Sequence, residues 1–249
     1  MKFFILVTLL SFQVSAQQIS AEGNIRTVLN PPQAGEVFVP PGFDDLDEAE
    51  ITFVNHSRNS CFIKTYSLPP QVDEATKTIR ISNMSLILKS DFCKSRNIAT
   101  PTTLKVGELK AGSYKVEFQT AKGEYQSYGD IHISKSKSEE KDDFEYAGLD
   151  VNELTVKVNR ETKKIELNLP GSFPNGCYAF KEIKVIDDRS PTVIEVLPIV
   201  ETVTDVCTQD IQFYNKQVLI PYDVSTTTKK LIHIRSADGV AINRVVNLE

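Results

Sequence analysis

Tryptophan is absent from the 249 residues, methionine occurs twice, histidine three times and cysteine four times. Without tryptophan, and with only 8 tyrosines, the flat aromatic faces on which a carbohydrate platform is usually built are scarce. An excess of positive charge is lacking too: Lys plus Arg is 28 against 33 for Asp plus Glu, a formal charge of -5. That balance excludes nucleic acid as an expected partner, because counterion release from phosphates needs a basic surface. No stretch approaches the roughly 20 apolar residues of a spanning helix, so no membrane span is expected. Also missing are a Gly-x-Ser-x-Gly elbow, a His-Glu-x-x-His helix and a Gly-rich phosphate loop. What is present, 41% hydrophobic and 24% charged residues, is ordinary globular composition. The length suits one large or two small domains.

The chain starts with Lys2, about ten mostly apolar residues from Phe3 to Phe12, and the small-residue end Val14-Ser15-Ala16. These are the three parts of a secretory signal peptide, which places residues 1–16 outside the mature chain and the protein in the periplasm or the extracellular space. In such an oxidising compartment four cysteines are read as disulfides. An internal repeat chooses among the three pairings. Glu50 to Lys64 aligns without a gap over Glu166 to Phe180, bringing Asn59 onto Asn175, Cys61 onto Cys177 and Phe62 onto Tyr178. Further along, Ile79 lies over Ile194, Cys93 over Cys207, and Ala121-Lys122-Gly123 over Ala237-Asp238-Gly239. If each copy closes its own loop, Cys61 pairs with Cys93 and Cys177 with Cys207. Zinc is not expected from cysteines so far apart, nor from His56, His132 and His233, which show no ligand spacing.

Period-two alternation dominates the rest, in Tyr114–Phe118, Asp130–Ser134, Leu154–Val158, Lys164–Leu169 and Leu231–Arg235. Gly, Pro, Asn and Asp separate these short runs, and Gly123 and Gly239 sit where hairpins need a positive φ. The expected fold is all-β, with two tandem antiparallel β-sandwich domains at residues 36–134 and 150–249. Residues 17–35 form a polar lead-in, in which Ile25–Leu29 can supply a strand. Residues 135–149 form a charged linker, since Ser134 to Asp143 holds no apolar side chain. The run Asp44 to Glu50, with five carboxylates in seven positions, is read as a solvated loop rather than a cation site. By parity His132 and His233 point away from their flanking isoleucines, toward solvent. Asn55-His56-Ser57 and Asn83-Met84-Ser85 match the glycosylation sequon.

Gly107-Glu-Leu-Lys-Ala-Gly-Ser-Tyr114 resembles the Leu-x-x-Gly-x-Tyr corner of immunoglobulin-like and fibronectin-type modules. With Asn59-Ser-Cys61-Phe62 and Asn175-Gly-Cys177-Tyr178, the chain looks like a secreted bacterial protein of tandem immunoglobulin-like modules. The resemblance implies that the Tyr114 hydroxyl bonds back across the bend entering the next strand. The second copy, Val224 to Leu231, has neither the glycine nor the tyrosine.

A fold of this kind hosts many functions. The expectation is a non-catalytic exported binding or envelope-associated protein without cofactor, metal or catalytic residues, whose partner is an unknown protein or envelope component. The candidate binding loops are Asn55, His56, Arg58 and Asn59 in the first copy, with Phe173 and Asn175 in the second. The alternatives are a structural spacer, and a hydrolase whose site is assembled from distant loops.

Overall fold

The computed structural model describes residues 25–136, 146–204, 206–224, 227–237 and 239–249. The signal-peptide segment and most of the charged linker lie outside the described residues. Among the described residues there is no helix, and so none long and apolar enough to cross a membrane.

The first half comprises β1 (Ile25–Leu29), β2 (Val37–Phe38), β3 (Phe43–Asp44), β4 (Glu48–Asn59), β5 (Phe62–Ser67), β6 (Gln71–Asp73), β7 (Thr78–Ile81), β8 (Asn83–Leu88), β9 (Ser95–Glu108), β10 (Gly112–Gln119) and β11 (Tyr125–Ser134). The second half comprises β12 (Gly148–Leu149), β13 (Thr155–Asn159), β14 (Lys164–Phe173), β15 (Tyr178–Ile186), β16 (Val193–Thr202), β17 (Gln212–Pro221), β18 (Lys229–Arg235) and β19 (Ala241–Asn247). The expected alternating runs all fall within or across these strands, and Ile25–Leu29 forms β1.

Pairings in the two halves correspond. β4 runs antiparallel to β9 as β14 does to β17, and β10 pairs β11 as β18 pairs β19. The sheets are not purely antiparallel. β7 and β10 are parallel, and so are β16 and β18, because the strands between them, β8 and β9 in the first half and β17 in the second, lie in other sheets and the chain re-enters beside its earlier strand in the same direction. Gly123 and Gly239, at φ +91° and +68°, turn the β10–β11 and β18–β19 hairpins. One core gathers Ile51 and Phe53 of β4 against Ile79, Val116, Phe118 and Ile131. The other gathers Ile165 and Leu167 of β14 against Ile194, Ile232, Ile234 and Ile242.

The halves do not hang apart on a linker. A third apolar cluster joins Phe38 and Val54 of the first to Val193 and Leu231 of the second. In β18 the even-numbered isoleucines face their own core, while Leu231, His233 and Arg235 face the other half. All three odd-numbered side chains are buried. His233 is therefore not solvent-facing, as parity implied. Its side is the expected one, but the first half covers that side. His132 of β11 is exposed.

Candidate functional site

The seam between the halves is polar as well as apolar. Arg235 Nη2 donates to Asp47 Oδ2 at 2.6 Å, and Asn243 Nδ2 to Glu50 Oε2 at 2.7 Å. Both carboxylates belong to the acidic run, so two of its five members are buried against the second half rather than solvated. Burial raises the Glu50 pKa. His233 Nδ1 bonds Asn243 Oδ1 at 2.8 Å, and its ring packs edge-on against Phe43 with centroids 5.3 Å apart. Burial pushes the His233 pKa down to about 4, with the Arg235 charge acting the same way against the Asn243 bond. Beside His233 in the ladder, Glu195 is 1% exposed, and burial raises its pKa against the pull of Arg189 and Arg235. At the other end of the seam Glu36 bonds His56 and Lys229. Burial is the largest single influence on Glu36 and pushes it up, but the bonds from Lys229 and His56 outweigh it and leave its pKa lowered.

The two disulfides are Cys61–Cys93 and Cys177–Cys207, with Cα–Cα separations of 5.4 and 4.9 Å. Each ties the turn after one long strand, β4 or β14, to the loop before its partner, β9 or β17. Asn59 Oδ1 accepts from the Cys61 amide at 3.0 Å, and Asn175 Oδ1 from the Cys177 amide at 2.9 Å. These two asparagines set the turn geometry of each tip. Asn55 and His56 do not lie in a loop: both are buried within β4. Asn55 Oδ1 accepts from Asn83 Nδ2 at 2.6 Å, so the two sequon asparagines are bonded to each other in the interior and neither offers a surface attachment point. Arg58 alone of the first-copy candidates is exposed, with Asn59 partly so. Phe173 ends β14 and is buried with Ala147 and Val200.

Around Phe173 the second tip carries a hollow. A cavity of about 210 Å³ is lined by Tyr146, Phe173, Pro174, Tyr178, Val200 and Ile211, among others. It shares Gly148 and Ser172 with a more open groove of about 670 Å³ that runs along Leu149–Glu153 to Phe213 and Tyr214. Tyr214 holds the wall in place: its hydroxyl donates to Gly148 O at 2.6 Å, and its ring packs edge-to-face with Phe180 and tilted against Phe173, with centroids 4.7 and 4.8 Å away. A Cβ at Gly171 would collide with both Gly148 O and the Tyr214 hydroxyl, so glycine is required there for the ring to seat. Burial raises the Tyr214 pKa, which keeps the phenol neutral and donating. At the rim Ile211 is 60% and Phe213 84% exposed.

Of the sequence candidates, this geometry brings Phe173 and Asn175 together at one tip and Arg58 and Asn59 at the other, and leaves Asn55 and His56 in the interior. Sequence reasoning missed Tyr146, Ile211, Phe213 and Tyr214. The repeat register pointed near the last three, since it sets the start of β17 beside the Cys177 turn. Among the described residues no group of three or more His, Cys, Asp or Glu side chains converges as metal ligands would.

No protein-family model matches the chain, and no curated protein and no solved structure matches it.

Proposed function

We propose that this is an exported, non-catalytic binding protein built from two disulfide-closed immunoglobulin-like β-sandwich modules, which grips a partner protein through the hollow tip of the second module. The observation that carries the reading is the 210 Å³ cavity with Ile211 exposed on its wall and Phe213 exposed on the groove that adjoins it. Small-molecule sites usually enclose about 300–1,000 Å³, so this cavity suits a single apolar anchor side chain, with the open groove receiving the chain on either side of it. The sandwich reading is supported by the matched pairings, by cores that draw on facing sheets, and by the Tyr114 hydroxyl, which donates to Lys110 O at 3.0 Å as a tyrosine corner does. Export is supported by the two disulfides and by the leader-like N-terminus.

The test is co-purification of the full chain from its native envelope, with wild type run against Ile211→Asp and against an exposed control, Lys122→Asp. The reading requires one protein to be held by wild type and by the control and to be lost at least tenfold with Ile211→Asp, while the urea midpoint is unchanged. A captured set that does not distinguish the three proteins refutes it.

A further inference from the structure

We propose that the disulfide tip of the first half docks onto an anionic lipid surface. Residues 88–100 are exposed at every position except Cys93; those from Ser95 onward belong to β9, paired with β4, so the segment at the tip is the β8–β9 loop, residues 89–94. At its apex Phe92 is 91% exposed, with Ile63 at 55%, Ile98 at 46% and Leu88 at 39%. The register pairs Ile25 of β1 with Leu88, adding another half-exposed apolar side chain. Large apolar side chains grouped on a surface mark contact sites.

The charge around them is one-sided. Arg26, Arg58, Lys64, Lys89, Lys94 and Arg96 are all exposed, and Asp91 is the one carboxylate among the described residues of this tip. The chain as a whole carries a formal charge of -5. The second tip has Glu201 and Asp210 beside its exposed Val203 and Val206 instead. A basic ring around an apolar apex fits a bilayer of anionic headgroups: the cations meet the phosphates while Phe92 and Ile63 enter the acyl boundary.

The apex is held out rather than folded back. Cys61–Cys93 closes it, Leu88 N donates to Cys61 O at 2.9 Å, Ser60 N to Lys94 O at 2.8 Å, and Arg96 Nε to Asn59 O at 3.2 Å. A stable protein interface needs about 800 Å² of matched surface on each side, whereas a bilayer accepts a protruding apex of any outline. That difference favours lipid over a second protein. The inference concerns a different tip from the groove, and it stands or falls independently of it.

Flotation of the full chain, disulfides intact, with phosphatidylcholine vesicles and with phosphatidylcholine–phosphatidylglycerol vesicles tests the proposal. The mixed vesicles should carry the chain upward and the neutral ones should not, and about 1 M salt should release it, since screening then acts over about 3 Å. Each basic residue near an anionic surface is worth about fivefold in partition and a buried phenylalanine about tenfold or more. Lys64→Glu with Lys89→Glu should therefore lower partition by about 25-fold or more, and Phe92→Ser by about tenfold, while Val206→Ser on the second tip changes nothing. Equal flotation with both vesicle types, flotation with neither, or undiminished flotation of Phe92→Ser overturns the proposal. Concentration-dependent dimerisation that Phe92→Ser abolishes, without vesicle binding, overturns it in favour of a second copy of the chain. All the substituted side chains are exposed, so folding of each variant can be verified by circular dichroism.

Discussion

Replacing His233 by Gln should flatten the acid side of the stability curve. The ring is fully buried at the seam, bonded through Nδ1 to Asn243, and its Nε2 makes no hydrogen bond with the described protein atoms. Packed against it are Phe43 of β3, Glu195 of β16, Asn243 of β19 and Arg235 of its own strand. In the native protein its pKa is pushed from the ordinary 6.5 down to about 4. Below 6.5 the unfolded chain therefore binds a proton that the native chain refuses, and stability falls as the pH drops from 6.5 toward 4. The full loss is a little over 3 kcal/mol, and between about pH 7 and about pH 5 it amounts to about 2 kcal/mol. Glu50 and Glu195, with raised pKa values, work in the opposite direction, because protonating them on acidification favours the native state. They and the other two histidines are common to both proteins, so the difference between wild type and variant isolates the ring. Urea unfolding of each at the two pH values, under non-reducing conditions, measures it. Wild type should lose about 2 kcal/mol more than His233→Gln over that interval. Parallel losses would mean that the ring takes up its proton in the folded state and that the seam is open to water, contrary to its burial.

Five further variants test the framework. Gly42 has φ +92° and a Cβ there would collide with the buried Glu195 Oε1, whereas Gly35 at φ +77° has open space around it. Gly42→Ala should lower stability by about 2–3 kcal/mol and Gly35→Ala by about 1 kcal/mol, read from denaturant midpoints. Tyr114→Phe removes a hydroxyl whose single proton is shared between Lys110 O and the Glu74 carboxylate and which accepts from Lys77 Nζ at 2.7 Å, and should cost about 1–2 kcal/mol by the same measure. Cys61→Ala with Cys93→Ala opens a loop whose cysteines are 32 positions apart and should cost about 3–4 kcal/mol in thermal unfolding, with a matching loss for Cys177→Ala with Cys207→Ala.

Much of the chain's local order could be read from the amino acids because it rests on neighbours in sequence. Lys164–Leu169 alternates polar and apolar, and the even-numbered side chains half-face solvent while Ile165, Leu167 and Leu169 are buried. The glycines at 123 and 239 adopt the positive φ that such hairpin turns favour, and the repeat register alone paired the cysteines. Tertiary cover could not be read in this way. Arg235 meets Asp47 across 188 positions and Asn243 meets Glu50 across 193, and no periodicity carries information over that distance. The acidic run therefore looked solvated, and His56, in a polar stretch, looked like part of a loop although β4 continues through it. Exposed Phe92 and Phe213 were equally hidden, since an apolar side chain in a strand-rich sequence reads as core until the fold shows that nothing lies over it.

The same ladder position in the two halves shows one way of covering a face, beside the buried Arg235–Asp47 ion pair that the same seam keeps. In the first half Arg80 of β7 stands opposite Glu117 of β10, and the two form an ion pair at 3.3 Å with Arg80 half exposed. In the second half the corresponding pair is Glu195 of β16 opposite His233 of β18, under the other half of the molecule. An exposed ion pair contributes about 0–1 kcal/mol and costs little to keep. Burying two opposite charges would cost several kcal/mol in lost hydration, which their attraction does not reliably repay. A histidine whose pKa falls to about 4 avoids that cost by staying neutral near pH 7, and a carboxylate with a raised pKa moves partway in the same direction. The second half thus keeps the backbone pairing seen in the first and changes the chemistry of one rung. The change tracks which face of the sheet is solvated, and it ties the stability of the joined halves to acidity.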